Sequence, residues 1–345
     1  MRRSRNPAPP LGSLCRPPPL PSPAPPGAPD RGGLLFGGTH YSHGVTEDYD
    51  PAQSAATNEG RIEPDILRIP VGPGAVHVER YGHGGTPILL VHGFGTCGFL
   101  WRTVAAGLAE ARHTAIAVDL LGYGESDRPL DTDFGIAAQA EYAERALAAL
   151  RIPRAAVAGV DLGGAVAMRL AATHAERVSH LILINSLTAE STPADDVRAL
   201  QRNTARHVLR VATGVLGVTP LLTPVLERSV GDPAHMPWRL VARYLAPFVG
   251  QDGVRHLLAL AASVNGADLE DLNLAALQMP TLVIRGESDT WLDDAVAERL
   301  AAAIPESQLV RLPGAGRLVP EDEPDQLTRL ILDFVKARKS ATPVR

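Results

Sequence analysis

The sequence predicts an α/β protein with a mostly parallel, doubly wound sheet, and three observations carry this prediction. Short apolar runs of strand length recur along the chain, and most are too continuous for strands with one face in water. Segments with helical periodicity fill most of the gaps between them, and this alternation is typical of a doubly wound sheet. One gap, residues 187–280, holds several amphipathic helical segments and no convincing strand.

The elements are predicted in a definite order. The chain opens with a hairpin, because β-branched residues alternate on both sides of the turn Gly72-Pro73-Gly74. The predicted strands cover residues 65–71, 75–82, 87–93, 114–120, 155–161, 180–186, 281–287 and 307–314. The predicted helices cover residues 101–111, 137–150, 164–175, 295–304 and 325–337.

The same pattern predicts the domain organisation. Residues 61–186 and 281–338 form the core, and residues 187–280 form a helical lid inserted between two strands. Ligand sites in open parallel sheets lie at the carboxyl ends of the strands, so a lid there would give the site an apolar roof. Residues 1–60, which contain the run RPPPLPSPAPPGAP, are predicted to be a disordered extension, and residues 339–345 a flexible tail.

Composition excludes several classes of function. With 345 residues, 45% of them apolar, and a formal net charge of -5, the chain can bury a substantial core but has no basic field for nucleic acid or a membrane surface. Its longest uncharged apolar stretch, Val211 to Leu226, is shorter than the roughly 20 residues that cross a bilayer. Cys15 and Cys97 are far apart in the sequence, which argues against a disulfide framework and favours location in the reducing cytoplasm. No metal or cofactor is expected from the motifs, and the oligomeric state is left open.

Short motifs follow four of the predicted strands. HGFG (92–95) follows the third, DLLGYGESD (119–127) the fourth, GVDLGG (159–164) the fifth and GESD (286–289) the seventh. In this order and context they closely resemble the α/β-hydrolase superfamily in its lid-containing form. The resemblance covers about residues 65–338 and implies the α/β-hydrolase fold.

The resemblance also implies roles for single residues. GVDLGG corresponds to the nucleophile elbow and presents Asp161, which is similar to the haloalkane dehalogenase and epoxide hydrolase branch. In that branch the carboxylate, already ionised at neutral pH, attacks a carbon atom and forms an ester. Asp289 would then supply the acid of the triad. The N–H groups of Phe94 and Leu162, with Gly93 in the same loop, would form the oxyanion hole.

The chain departs from this branch at the catalytic base. The segment where the family carries its histidine reads PGAGR and places Arg317 at that position. Arginine has no acceptor atom and a pKa above about 12, so it cannot take a proton from water. Leu162 stands where dehalogenases commonly carry a halide-binding donor. Epoxide hydrolases commonly use two lid tyrosines, but Tyr244 is the one tyrosine in residues 187–280, and Tyr123 lies outside that range. The other histidines are interpreted as structural, among them His92, His174, His180, His235 and His256.

These residues favour a non-hydrolytic enzyme on a hydrolase scaffold. The Arg317 guanidinium is expected between Asp161 and Asp289, where it would tie up the lone pairs of Asp161 and steady negative charge. Asp161 would accept a hydrogen bond or proton while the two loop amides polarise a carbonyl. The expected reaction is a cyclisation, elimination or isomerisation of a mainly hydrophobic small molecule, with Trp291 lining the site. Two alternatives stay open: a hydrolase with a relocated base, and a catalytically silent ligand-binding protein.

Overall fold

The computed structural model describes residues 62–202 and 219–336. The predicted disordered extension at 1–60 and the predicted tail at 339–345 lie outside these ranges, as does part of the predicted lid. Within them the chain forms one sheet with helices on both faces.

The sheet has eight strands: β1 (Asp65–Pro70), β2 (Ala75–Tyr81), β3 (Pro87–Val91), β4 (Thr114–Val118), β5 (Ala155–Val160), β6 (Val178–Ile184), β7 (Thr281–Gly286) and β8 (Ser307–Leu312). Their order is β1-β2-β4-β3-β5-β6-β7-β8. β2 pairs antiparallel with β1 and β4, and every other neighbouring pair is parallel. The predicted α/β-hydrolase fold is confirmed, and each strand overlaps the apolar run that predicted it.

The described α-helices are α1 (Arg102–Glu110), α2 (Ile136–Ala149), α3 (Leu162–Thr173), α4 (Asp195–Gln201), α5 (Thr219–Glu227), α6 (Trp238–Leu245), α7 (Gly250–Ser263), α8 (Ala267–Glu270), α9 (Asp294–Ala303), α10 (Val319–Asp322) and α11 (Pro324–Lys336). Helices α2, α3 and α9 cover one face of the sheet and bury side chains with Val157 of β5. Helices α1 and α11 cover the other face, where the neighbouring Ala158 belongs to a second apolar cluster. This alternation along β5 explains why the strand reads as a continuous apolar run.

The segment between β6 and β7 carries helices α4 to α8, and its described residues contain no strand. Helix α7 is the longest of them and buries Val254, Leu257 and Leu260. Across residues 62–202 and 219–336, no helix has both the length and the apolar character needed to span a membrane.

The turn between β5 and α3 depends on small residues. A Cβ at Gly159 would lie 2.1 Å from the carbonyl oxygen of Gly163, and one at Gly163 would lie 2.3 Å from that of Val91. Backbone atoms cannot move aside cheaply, so only glycine lets α3 pack this closely on β3 and β5. The close packing fixes the position of Asp161, which stands inside the turn.

Replacing Gly163 with alanine is therefore expected to destabilise the protein by about 1–3 kcal/mol, because the added methyl group forces the helix away from the sheet. Urea unfolding followed by circular dichroism measures the change. Gly84→Ala is the matched control, since a Cβ there meets only the Arg112 carbonyl oxygen at 3.4 Å. Equal midpoints for the two variants would contradict the packing argument.

Candidate active site

A cavity of about 540 Å³ lies at the carboxyl ends of the parallel strands. Loops after β3, β7 and β8 form one part of its wall, and helices α4 to α7 form the other. The wall is mainly apolar and includes Phe94, Leu200, Leu222, Val225, Phe248 and Trp291. Its charged members are Asp195, Asp196, Arg228 and Arg317. The size and lining suit an apolar small molecule that carries a few polar groups.

Asp161 stands on the turn between β5 and α3 with φ 55° and ψ −120°. A positive φ is uncommon for aspartate, and such strain is typical of a nucleophile elbow. The Phe94 N–H donates to its Oδ2 at 2.9 Å, and Nη2 of Arg317 donates to its Oδ1 at 2.6 Å. Asp161 is 1% exposed and does not line the cavity, whereas Arg317 does. Both carboxylate oxygens are thus engaged, and the arginine covers them.

The guanidinium of Arg317 has a second carboxylate partner. Its Nη1 donates to Oδ2 of Asp196 in α4 at 3.1 Å, and its Cζ lies 5.3 Å from the centre of the Trp291 ring. Burial opposes the charge, but the attraction of Asp161 and Asp196 outweighs it and raises the pKa of Arg317 above its usual value. The site therefore holds a fixed cation at the wall of the cavity.

Asp289 does not pair with Arg317, contrary to the sequence prediction of a guanidinium between Asp161 and Asp289. Nη1 of Arg285 donates to Oδ2 of Asp289 at 2.8 Å, and the Trp291 N–H donates to its Oδ1 at 2.8 Å. Burial raises the pKa of Asp289, although the nearby arginines and the Trp291 N–H oppose this. The prediction failed because Arg285, from the preceding strand, occupies the carboxylate that was assigned to Arg317.

The predicted oxyanion loop lies beside Asp161, but its Phe94 amide is engaged by that carboxylate rather than open toward the cavity. Gly93 packs against the same side chain, since a Cβ there would lie 2.7 Å from Oδ2 of Asp161. Leu162 is buried and begins α3. The loop residues are therefore brought together with Asp161, and in this arrangement they hold the aspartate itself.

Of the aromatic residues predicted for the site, Trp291 lines the cavity and the two tyrosines do not. Tyr123 is fully buried, its hydroxyl has no partner among the described residues, and burial together with Asp161 raises its pKa. The Tyr244 hydroxyl donates to Glu321 at 2.5 Å. Burial and that carboxylate raise the pKa of Tyr244. Tyr244 is thus placed in the packing between α6 and α10, away from the ligand space.

Within the described ranges, no histidine lines the cavity. His92 donates from Nδ1 to the carbonyl of Gly93 at 2.8 Å and accepts at Nε2 from the N–H of Leu120 at 3.0 Å. Burial lowers the pKa of His92 and of His256, which contacts the Gly122 carbonyl at 2.6 Å. These two histidines hold loops in place. His40, His43 and His207 lie outside the described residues.

Asp196 is the site residue that sequence reasoning missed. It lies in the segment ADDVRALQ, which the sequence marks only as an amphipathic helix beginning with acids. The neighbouring Asp195 is 79% exposed and pairs with Arg198 at 2.8 Å, as an ordinary surface residue does. The available signal is helix geometry, since adjacent residues on a helix point about 100° apart. Both aspartates border the cavity, but only Asp196 bonds to Arg317.

A second ion pair holds the loop that carries Arg317. Asp322 accepts from the N–H of Gly316 at 2.7 Å, and its Oδ1 lies 2.8 Å from Nδ1 of His235. The bond to Asp322 raises the pKa of His235 above 6.5. A raised histidine pKa contributes stability below its unfolded-state value, and that stability is lost as pH rises through the folded-state pKa.

We therefore expect the melting temperature to fall as pH is raised from about 6 to about 9, in part through His235. His235→Gln should flatten that part of the profile, since glutamine stays neutral throughout. His77, which pairs with Asp119, has its pKa raised in the same direction, so the informative quantity is the difference between the two melting curves. Parallel profiles for the two proteins would rule out a role for His235.

The chain matches the alpha/beta hydrolase fold family over residues 86–324. Haloalkane dehalogenase 2 of Mycobacterium tuberculosis is 28% identical over 275 residues, which cover 75% of this chain and 91% of the relative. The crystal structure of an alpha/beta hydrolase fold protein from Burkholderia ambifaria superposes with a TM-score of 0.71 at 27% identity, covering 79% of this chain and 99% of that one. An epoxide hydrolase structure superposes with a TM-score of 0.68 at 22% identity and coverages of 79% and 98%.

The chain therefore belongs to the α/β-hydrolase fold family, whose members similar to it are mostly enzymes. The match agrees with the order of the strands and with the position of Asp161 on a strained turn after β5.

Proposed function

We propose that the protein is a non-hydrolytic enzyme on the α/β-hydrolase scaffold. Its substrate is a mainly apolar small molecule held in the 540 Å³ cavity, and its reaction is a cyclisation, elimination or isomerisation. The observation that carries this proposal is the buried contact of 2.6 Å between Arg317 and Asp161, at the position where a hydrolase needs a free nucleophile.

The contact argues against covalent chemistry on Asp161. A carboxylate attacks through an oxygen lone pair, and the oxygen not bound by the Phe94 amide is bonded to the guanidinium. Each oxygen keeps a second lone pair, but Asp161 is 1% exposed and does not line the cavity, so attack on a bound substrate would require Arg317 to move from the cavity wall. The role we assign to Asp161 is to hold Arg317 at the cavity wall, where the cation stabilises negative charge that develops on a substrate.

Hydrolysis also needs a base, and the lining supplies no histidine within the described ranges. Arg317 cannot take this role because its charge is permanent. Of the two aspartates in the lining, Asp195 is exposed and pairs with Arg198, and Asp196 is held by Arg317. A mainly apolar cavity with no histidine among its described lining residues favours reactions internal to the substrate, for which positioning alone removes much of the barrier.

In this proposal the helices of residues 187–280 act as a lid. Helices α4, α5, α6 and α7 all contribute side chains to the cavity, and Asp196 ties α4 to Arg317 of the core. Closure would exclude water from reactive intermediates and so suppress hydrolysis as a side reaction.

The named relatives include hydrolases, so covalent hydrolysis is the competing function. Intact-protein mass spectrometry after incubation with alkyl halides, epoxides and activated esters tests it, with Asp161→Asn and Arg317→His in parallel. We expect no adduct on the wild-type protein. A mass increase that Asp161→Asn abolishes would overturn the proposal and identify a hydrolase of the dehalogenase or epoxide hydrolase type.

Turnover is tested with an extract of apolar metabolites in water enriched in heavy oxygen. The proposal predicts products that are isomers of a consumed compound, or that compound minus a small neutral fragment, without the heavy isotope. Heavy oxygen in the product would show hydrolysis.

The full pairing of Arg317 with Asp161 also suits a protein that binds a ligand without turnover. That second candidate predicts that the ligand is recovered unchanged from the same incubation.

A further inference from the structure

Two side chains that line the cavity each carry a polar atom without a hydrogen-bond partner among the described residues. These atoms are Oδ1 of Asp196 and Nε1 of Trp291, and both are buried. Buried polar atoms in folded proteins are almost always paired, and leaving one unpaired is unfavourable. The unpaired acceptor and the unpaired donor therefore indicate that a ligand supplies one hydrogen-bond donor and one acceptor.

Both atoms belong to side chains around the same cation. Oδ2 of Asp196 accepts from Nη1 of Arg317 at 3.1 Å, so the carboxylate is held while its buried Oδ1 has no partner among the described residues. The ring of Trp291 lies near the same guanidinium, with its centre 5.3 Å from Cζ of Arg317. The Asp196 side chain is only 10% exposed and that of Arg317 3% exposed. These three residues are called the polar subsite below.

We infer that the polar subsite binds a hydroxyl group of an otherwise apolar substrate. The hydroxyl donates its hydrogen to Oδ1 of Asp196, and its oxygen accepts from Nε1–H of Trp291. This inference names the substrate class of the proposed enzyme and rests on that proposal for turnover, while the recognition itself is a binding property.

The hydrogen-bonding pattern of the subsite excludes other polar groups. A carboxylate could accept from Trp291, but it has no hydrogen to donate to Oδ1 of Asp196 and would lie beside that like charge. An ammonium group could donate to Asp196 but has no lone pair with which to accept from Nε1–H of Trp291. An ether oxygen could accept from Trp291 but would leave the Asp196 acceptor buried and unpaired. A hydroxyl group satisfies both atoms without adding charge.

Five probes with one ring system and one site of attachment separate these possibilities: naphthol, methoxynaphthalene, naphthalene, naphthoate and aminomethylnaphthalene. Dissociation constants are measured by isothermal titration calorimetry on the full chain at neutral pH. Because a hydrogen bond to a carboxylate is worth more than one between neutral groups, we expect naphthol to bind about tenfold more tightly than methoxynaphthalene. Methoxynaphthalene should bind about threefold more tightly than naphthalene, through Trp291.

Two substitutions divide the subsite between its atoms. Asp196→Asn should reduce the preference for naphthol over methoxynaphthalene to about twofold, since the charge-assisted bond is lost. Trp291→Phe keeps the ring against Arg317 but removes the donor, so it should weaken naphthol and methoxynaphthalene alike and leave naphthalene unchanged. Asp252→Asn and Trp238→Phe are matched controls, because these side chains are largely exposed to solvent and neither lines the cavity.

The inference is overturned if naphthoate or aminomethylnaphthalene binds more tightly than naphthol, or if Asp196→Asn leaves the naphthol preference intact. Failure of naphthol to bind up to its solubility limit also overturns it. Thermal melts establish that each variant is folded. Because selectivity is measured without turnover, these outcomes are independent of the isotope and adduct experiments, so either proposal can fail while the other stands.

Discussion

Replacing Arg317 with methionine is expected to lower the free energy of unfolding by about 3–5 kcal/mol, the usual effect of removing one partner from a buried ion pair. Methionine fills a similar apolar space but removes the donor that lies 2.6 Å from Asp161 and the donor that lies 3.1 Å from Asp196. Asp161 is 1% exposed, so water cannot solvate the charge that is left behind. Urea unfolding monitored by circular dichroism measures the loss.

A second substitution separates the unpaired charge from lost packing. Adding Asp161→Asn to Arg317→Met removes one stranded charge with little change of shape, and we expect it to restore roughly half of the lost stability. Arg228→Met is the matched control, since Arg228 also lines the cavity but is exposed, and it should change stability by less than about 0.5 kcal/mol. Similar unfolding midpoints for Arg317→Met and Arg228→Met would show that the buried pair is not a main determinant of stability.

The fold could be predicted from the sequence because its signals are local. The run AAVAGV forms β5, a strand buried along its whole length, and any strand covered on both faces has to be continuously apolar. The turn that follows needs glycine where the backbone of α3 meets β5, at Gly159, and where it meets β3, at Gly163. Each of these requirements is met within a few neighbouring residues and is therefore visible in the chain.

The pairing of charges could not be predicted in the same way, because it depends on competition between distant residues. Three acidic residues lie near Arg317: Asp161 and Asp196, which bond to it, and Asp289, which does not. Asp289 does not bond to Arg317 because its carboxylate is paired with Arg285. In the run TLVIRGE the sequence gives no sign that Arg285 points into the protein, since arginine near a strand end is ordinarily exposed.

Asp289 and Arg317, the residues at the positions that the sequence resemblance assigns to the acid and the base of a triad, are not hydrogen-bonded to each other. In a triad the acid orients the histidine and stabilises its positive charge. Asp289 instead belongs to a separate ion pair with Arg285, and Arg317 takes its partners from the elbow and from α4. Substituting histidine at position 317 alone would therefore place an imidazole beside Asp161 without a free acid behind it.

Arg285→Met is the second substitution expected to have a large effect, with a loss of about 5 kcal/mol, the upper end for a broken buried ion pair. Its guanidinium makes five contacts: Oδ2 of Asp289 at 2.8 Å, Asp289 O at 3.0 Å, Leu292 O at 2.7 Å, Oδ1 of Asn185 at 3.2 Å and Oδ1 of Asp294 at 2.9 Å. Methionine leaves all five acceptors without this donor, and the Asp289 side chain is fully buried. Thermal and urea unfolding measure the loss.

Arg285→Lys and Asp294→Asn are the controls for the contacts of Arg285. Arg285→Lys keeps the charge but cannot reproduce five donors in a planar fork, so it should recover only part of the stability lost in Arg285→Met. Asp294→Asn removes a partner that is 62% exposed and should have little effect, because a solvent-exposed contact contributes little. If Arg285→Lys matched the wild type, charge alone would hold Asp289, and the fork geometry that keeps Asp289 away from Arg317 would have no energetic role.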